Sequence, residues 1–300
     1  MPSEVSVQQK EIFIDKAASL SRIFSNSVIG DLALKGNSAT MKRVFKEIQV
    51  DRLFDEESTL RECFDYFYKL IFKYYRNEYV YKNSIARKVL LGRHSVKTSC
   101  MLTEFRISNS KADVLVLNGT SHVYEIKTDL DSLDRLPKQV SDYKRAVDYV
   151  NVITSPSYAD KVENCVDDDV GILVLNNRGS ISTLRSPSSN KKNVNPGVIF
   201  DSLRKNEYLS IIKSCGVEIP DVPNTLLFKQ CRDIFSSFDP VLCHDRMLES
   251  VKKRTLDKDL ENFVLSLPDS LKSIAYSSGL SKASKKHFLE VLDKRVVDLV

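Results

Sequence analysis

No stretch of this 300-residue sequence is apolar for long enough to cross a bilayer, and no signal-peptide pattern is present. The expected setting is therefore the cytoplasm, without a membrane partner. The six cysteines never fall at Cys-x-x-Cys spacing, which indicates neither a zinc site nor a disulfide framework. No internal repeat is evident. Charge of one sign is not in strong excess either: 45 Lys and Arg stand against 40 Asp and Glu, a net +5. That balance is compatible with a nucleic-acid partner without requiring one. The length allows one large domain or two modest ones.

What the chain does have is a compact run of chemistry between Lys111 and Tyr143. An apolar segment, Val114 to Leu117, meets Asn118-Gly119, a pair that tolerates the positive φ of a hairpin turn. A second segment, Val123 to Lys127, follows, and a helix is expected to open near Pro137. Asp113 precedes the first strand, and Glu125 and Lys127 lie two apart on the second. Residues i and i+2 of a strand share a face, so Glu125 and Lys127 project together while Ile126 points the other way.

A tight two-residue turn would set Asp113 opposite Tyr124, on the wrong face. An odd loop or a bulge would bring Asp113 opposite Glu125, and one of these is expected here. Leu115, Leu117 and Val123 would then share the site's face, with Val114, Val116, Tyr124 and Ile126 on the other. Since both faces are apolar, helices are expected on both sides.

Two carboxylates beside an ammonium suit a Mg²⁺ or Mn²⁺ ion that holds a phosphate and activates water. The competing reading is an ordinary surface Glu-Lys pair. Acid-x-Lys recurs by chance at Asp142-Tyr143-Lys144, where helical geometry makes i and i+2 diverge.

The order acid, Glu-x-Lys, Gln-x-x-x-Tyr resembles the PD-(D/E)XK nuclease superfamily, most closely a bacterial branch carrying the TEFRxxNSKADV and VYEIKTxxDSLDRL text. The resemblance covers roughly residues 61–185, and Ala112 stands where the motif has proline. It implies an α/β, restriction-endonuclease-like core, a mixed central sheet flanked by helices, with N-terminal and C-terminal helical lobes. It further implies a Mg²⁺- or Mn²⁺-dependent nuclease, DNA ranked ahead of RNA and endonuclease ahead of exonuclease, serving phage defence, mobile elements or repair. Asp113, Glu125 and the Ile126 carbonyl would hold metal and Lys127 would support the attacking water. Glu78 would add a further acid, with Glu104 its rival for that place. Gln139 and Tyr143 would lie beside the site and contact the nucleic acid. Arg93 and Lys111, with Lys97 and Arg106, would line a phosphate track, or else form a solvated basic face. The alternative is a non-catalytic or partner-activated nucleic-acid-binding protein on the same fold.

The rest of the chain divides, on pattern, into an N-terminal helical region at 1–57, the nuclease-like domain at 58–185, a Ser/Asn-rich linker at 186–195 and a helical domain at 196–300. Helices are expected over Val7–Phe24 and Thr40–Val50, with a break at Gly30–Asn37. Asn77 is the expected cap of a helix running to Leu91. The aromatic run Leu60–Lys82 reads as core at helical spacing, with base stacking the lesser reading. His94 is a loop residue. Tyr149–Thr154, Val170–Leu175 and Ser180–Leu184 extend the sheet to five or six strands, and Asp167-Asp168-Asp169 is a turn. The helical lobes offer surfaces to a protein partner or clamp, and a homodimer stays open.

Overall fold

The computed structural model describes residues 7–88, 100–254 and 258–299. Along the chain come α1 Val7–Ser21, α2 Asn26–Lys35, α3 Ala39–Glu47, α4 Leu60–Tyr74 and α5 Glu78–Ile85. The strands β1 Cys100–Ile107, β2 Ser110–Asn118 and β3 Thr120–Ile126 follow. Next are α6 Leu136–Lys144, β4 Tyr149–Thr154, α7 Ala159–Glu163, β5 Gly171–Leu175 and β6 Ile181–Arg185. Helices complete it: α8 Pro196–Asp201, α9 Lys205–Ser214, α10 Asn224–Ser236, α11 Pro240–Lys252, α12 Lys258–Ser266, α13 Ile274–Ser277 and α14 Lys282–Leu292. None of the described helices is long and apolar enough to cross a membrane.

The chain forms two compact units, Met1–Val89 together with Lys258–Val300, and Leu90–Asp257. The boundaries expected at 57, 185 and 195 are not those of the units. Helical periodicity shows that a segment has an apolar stripe, not which core the stripe meets. The helices of 196–254 join the sheet's core, and those from 258 onward belong with the N-terminal helices.

Among the described residues the first unit is built of helices, with one isolated β-bridge between Thr59 and Arg295. The break expected over Gly30–Asn37 shrinks to the end of α2: Gly30 lies inside the helix, and Gly36, at φ +74°, closes it. Thr59 and Glu62 form a capping box at the start of α4. Its aromatic stripe is core, as its spacing suggests: Phe64 and Phe67 are fully buried, in edge contact with Phe24 and Phe54. Buried Lys272 donates to the Val264 and Leu267 carbonyls at 2.8 and 2.7 Å, satisfying the open end of α12.

The second unit is α/β, built on a six-stranded mixed sheet of order β1-β2-β3-β4-β5-β6. The pairs β1–β2, β2–β3 and β5–β6 are antiparallel; β3–β4 and β4–β5 are parallel, joined through α6 and α7. Leu115, Leu117, Val123, Val150 and Val152 pack in one core with α6 and the helices α8 to α11. Val114, Val116, Tyr124 and Ile126, on the opposite face, are also buried.

The Ser/Asn-rich stretch 186–195, expected to be a loose linker, is instead tied down. Asp148 accepts hydrogen bonds from Ser189 Oγ at 2.5 Å and from the Asn190 and Lys191 amides at 3.2 and 3.1 Å. Composition alone cannot reveal that a buried carboxylate needs those donors.

A buried polar lock ties α11 to the sheet. The Asp148 amide donates to Ser121 Oγ at 2.9 Å, and Ser121 Oγ lies 2.7 Å from His244 Nε2. The Asp245 carboxylate, which can only accept, lies 3.2 Å from Nδ1, so Nδ1 carries the ring hydrogen and Nε2 accepts from the serine. Burial pushes the His244 pKa down and keeps the ring neutral. With Ser121 and His244 both fully buried, this serine–histidine pair is a strut.

Candidate active site

The site is set by a register. β2 and β3 pair from Val114↔Tyr124 to Asn118↔Thr120, so the ladder turns about Gly119, which takes φ +70°. This is the odd loop that the sequence demands. Continued by one residue, it lays Asp113 opposite Glu125. The acid and the lysine stand on the Leu115–Val123 face, beneath α6.

Gln139 and Tyr143, one helical turn apart on α6, reach down to the same carboxylate. Glu125 Oε1 accepts from Lys127 Nζ at 3.0 Å and from Gln139 Nε2 at 2.6 Å. Glu125 Oε2 accepts from the Tyr143 hydroxyl at 2.7 Å. Gln139 Oε1 in turn accepts from Lys127 Nζ at 2.9 Å. The cluster is internal: Glu125 is 1 % exposed, Lys127 6 % and Tyr143 0 %. Burial, and after it the Glu125 charge, pushes the Tyr143 hydroxyl well above the usual phenol range, so it acts as a donor. Tyr143 also lies 2.8 Å from the Lys111 carbonyl, which ties α6 to β2.

The backbone adds an oxygen. The Lys127 amide donates to Ile153 on β4 at 3.0 Å, and no peptide here is cis. The Ile126 carbonyl, antiparallel to that amide, therefore points toward β2. On that side Asp113 Oδ2 accepts the Ile126 amide at 2.7 Å. Asp113, Glu125 and the Ile126 carbonyl each offer a hard oxygen of the kind that Mg²⁺ or Mn²⁺ prefers.

The remaining expected residues are placed as follows. Glu78 is the first residue of α5, in the first unit, and pairs with Lys82. Asn77 occupies its N-cap without a side-chain capping bond. Glu104 is the acid that β1 brings to this site. The ladder flanks it with Thr103↔Val114 and Phe105↔Ala112, so it falls opposite Asp113. Their carboxylate oxygens come within 4.8 Å. Glu104 leaves the ladder with φ +54°, a conformation rare for a residue with a side chain. No sequence signal announces that kink. Lys111 is exposed, 3.9 Å from Glu104. Arg93, His94 and Lys97 lie outside the described residues. Tyr143 and Gln139 were expected at the nucleic acid, but their polar atoms are engaged inward. Asp167 and Asp169 do form a turn, whose carboxylates hold Lys144.

Residues 72–266 match the family described as Bacteriophage P4 protein cII. The chain belongs to that family. Protein cII of Enterobacteria phage P4 is 24% identical over 141 residues, covering 46% of this chain and 52% of the relative. This cII-family chain thus spans about half the length of that curated relative. No solved structure matches it.

Proposed function

We propose that this cII-family protein is a divalent-metal-dependent nuclease with a restriction-endonuclease-like core. One observation carries the reading: a buried carboxylate, Glu125, shares its face with Lys127 and lies across a ladder from Asp113. Surface Glu-Lys pairs are solvated, whereas this pair is desolvated and served by two further donors on α6. Such an investment has an evident use where the carboxylate handles charge.

Asp113, Glu125 and the Ile126 carbonyl would hold the ion, with Glu104 adding an outer acid. A bound Mg²⁺ or Mn²⁺ supplies Lewis acidity and lowers the pKa of water. The Lys127 ammonium, released from Glu125, can orient that water or face the charge that grows on a phosphate. Gln139 and Tyr143 fix the carboxylate's rotamer. Glu125, Lys127 and Gln139 form a closed ring of hydrogen bonds, and that favours a second reading in which cleavage awaits a partner. Half-exposed Leu226 and Phe228 on α10 offer such a partner an apolar contact. A homodimer would serve equally. The phage relative is in keeping with a role in phage defence or mobile-element biology, with repair a further setting.

The test is incubation with supercoiled, linear and single-stranded DNA and with RNA, in Mg²⁺, Mn²⁺ or EDTA. Metal-dependent loss of supercoiled DNA is expected, falling at least roughly 100-fold in Asp113→Ala and Lys127→Ala. Cleavage that survives both substitutions, or EDTA, would refute the assignment.

A further inference from the structure

Thr154 ends β4 and is completely buried, yet its Oγ1 has no hydrogen-bond partner among the described residues. An unpaired buried hydroxyl is unfavourable, and valine would fill the same volume without it. Its location suggests why it is there. β3 and β4 pair in parallel with Glu125↔Val152 and Ile126↔Ile153, and the Lys127 amide carries the ladder one step further. Thr154 is therefore the strand neighbour of Lys127, on the same face as Glu125.

Lys127 at rest spends two of its three protons on Glu125 Oε1 and Gln139 Oε1. Its charge offsets that of Glu125 inside the unit. A divalent cation at Glu125 would repel the ammonium, which then needs a new acceptor within reach. Resting on the metal-dependent reading above, we infer that Thr154 Oγ1 is the acceptor to which Lys127 turns when a divalent cation takes Glu125. The orphan hydroxyl is thus a positioning group for the loaded state. It holds the ammonium close to the site and keeps it off the carboxylate.

The experiment is calorimetric titration of the full chain with Mn²⁺ alone, beside thermal unfolding in EDTA. Thr154→Val should weaken Mn²⁺ binding roughly tenfold, since the displaced ammonium loses its acceptor, and Thr154→Ser should bind as wild type does. In a Lys127→Met background Thr154→Val should change Mn²⁺ affinity by less than about twofold. In EDTA Thr154→Val should melt at the wild-type temperature or about 2–4 °C above it. Equal Mn²⁺ affinity in wild type and Thr154→Val overturns the inference and leaves the metal site standing. A lower melting temperature in EDTA also overturns it, by giving the hydroxyl a resting role. Wild type that binds no Mn²⁺ overturns both readings together. Should Thr154→Val not fold, Thr154→Ala read by Mn²⁺ affinity alone takes its place.

Discussion

Lys127→Met removes the ammonium and leaves a side chain of similar length. Lys127 and Glu125 have side chains 7 % and 2 % exposed and sit 3.0 Å apart. Deleting one member of such a pair strands the other charge, at a cost of about 3–5 kcal/mol. Gln139 and Tyr143 still donate to Glu125, which places the expected loss at the lower end, about 3 kcal/mol. For a folded unit of this size, that lowers the melting temperature by roughly 6–12 °C. Adding Glu125→Gln to Lys127→Met removes the stranded charge, and stability should return to within about 1 kcal/mol of wild type. Mn²⁺ should rescue the single variant in a different way. At 100 times its dissociation constant it contributes about 2.7 kcal/mol, and no ammonium competes for the carboxylate. The assay is urea unfolding of wild type, single and double variants, in EDTA and in Mn²⁺. A single variant within about 0.5 kcal/mol of wild type would refute the buried pair. A destabilised variant that Mn²⁺ fails to restore would refute Glu125 as a ligand.

Because burial lowers the His244 pKa, the native state holds the ring neutral while the unfolded chain takes a proton near pH 6.5. Stability should therefore be full above about pH 6.5 and fall as the pH drops toward the lowered folded value; a urea midpoint unchanged between pH 7.5 and 5.5 would contradict this. Burial raises the Asp148 pKa, but hydrogen bonds from Ser189 and Thr120 outweigh it and hold the carboxyl below its ordinary value. Asp148→Ala should accordingly speed amide exchange across 186–195 by at least roughly tenfold while exchange in β3 changes far less. Uniform exchange across the second unit would show that Asp148 has no local role.

The neighbourhood of the site was legible because strand geometry is strict. Alternation put Glu125 and Lys127 on one face, and the demand that Asp113 join them required an odd loop, which the turn about Gly119 supplies. The i, i+4 spacing of Gln139 and Tyr143 put both on one stripe of α6. Their destination was not legible: the same spacing serves a helix that faces solvent or one that faces a carboxylate. Glu104 was harder still. A left-handed kink in mid-strand has no residue-type signature unless glycine occupies it.

The sequence by itself determined the strands, the paired side chains and most of the helices, since period, turn residues and caps are local properties. Which core each helix joined was decided only by tertiary packing, and 196–254 and 258–299 parted company there although both read as amphipathic helix. Folding alone likewise made 186–195 ordered and gave Glu125 its donors, because a buried carboxylate collects hydrogen bonds from whatever the fold brings beside it. Thr154 belongs to the same class. Its isolation is a fact of burial, and burial is written in no single stretch of chain.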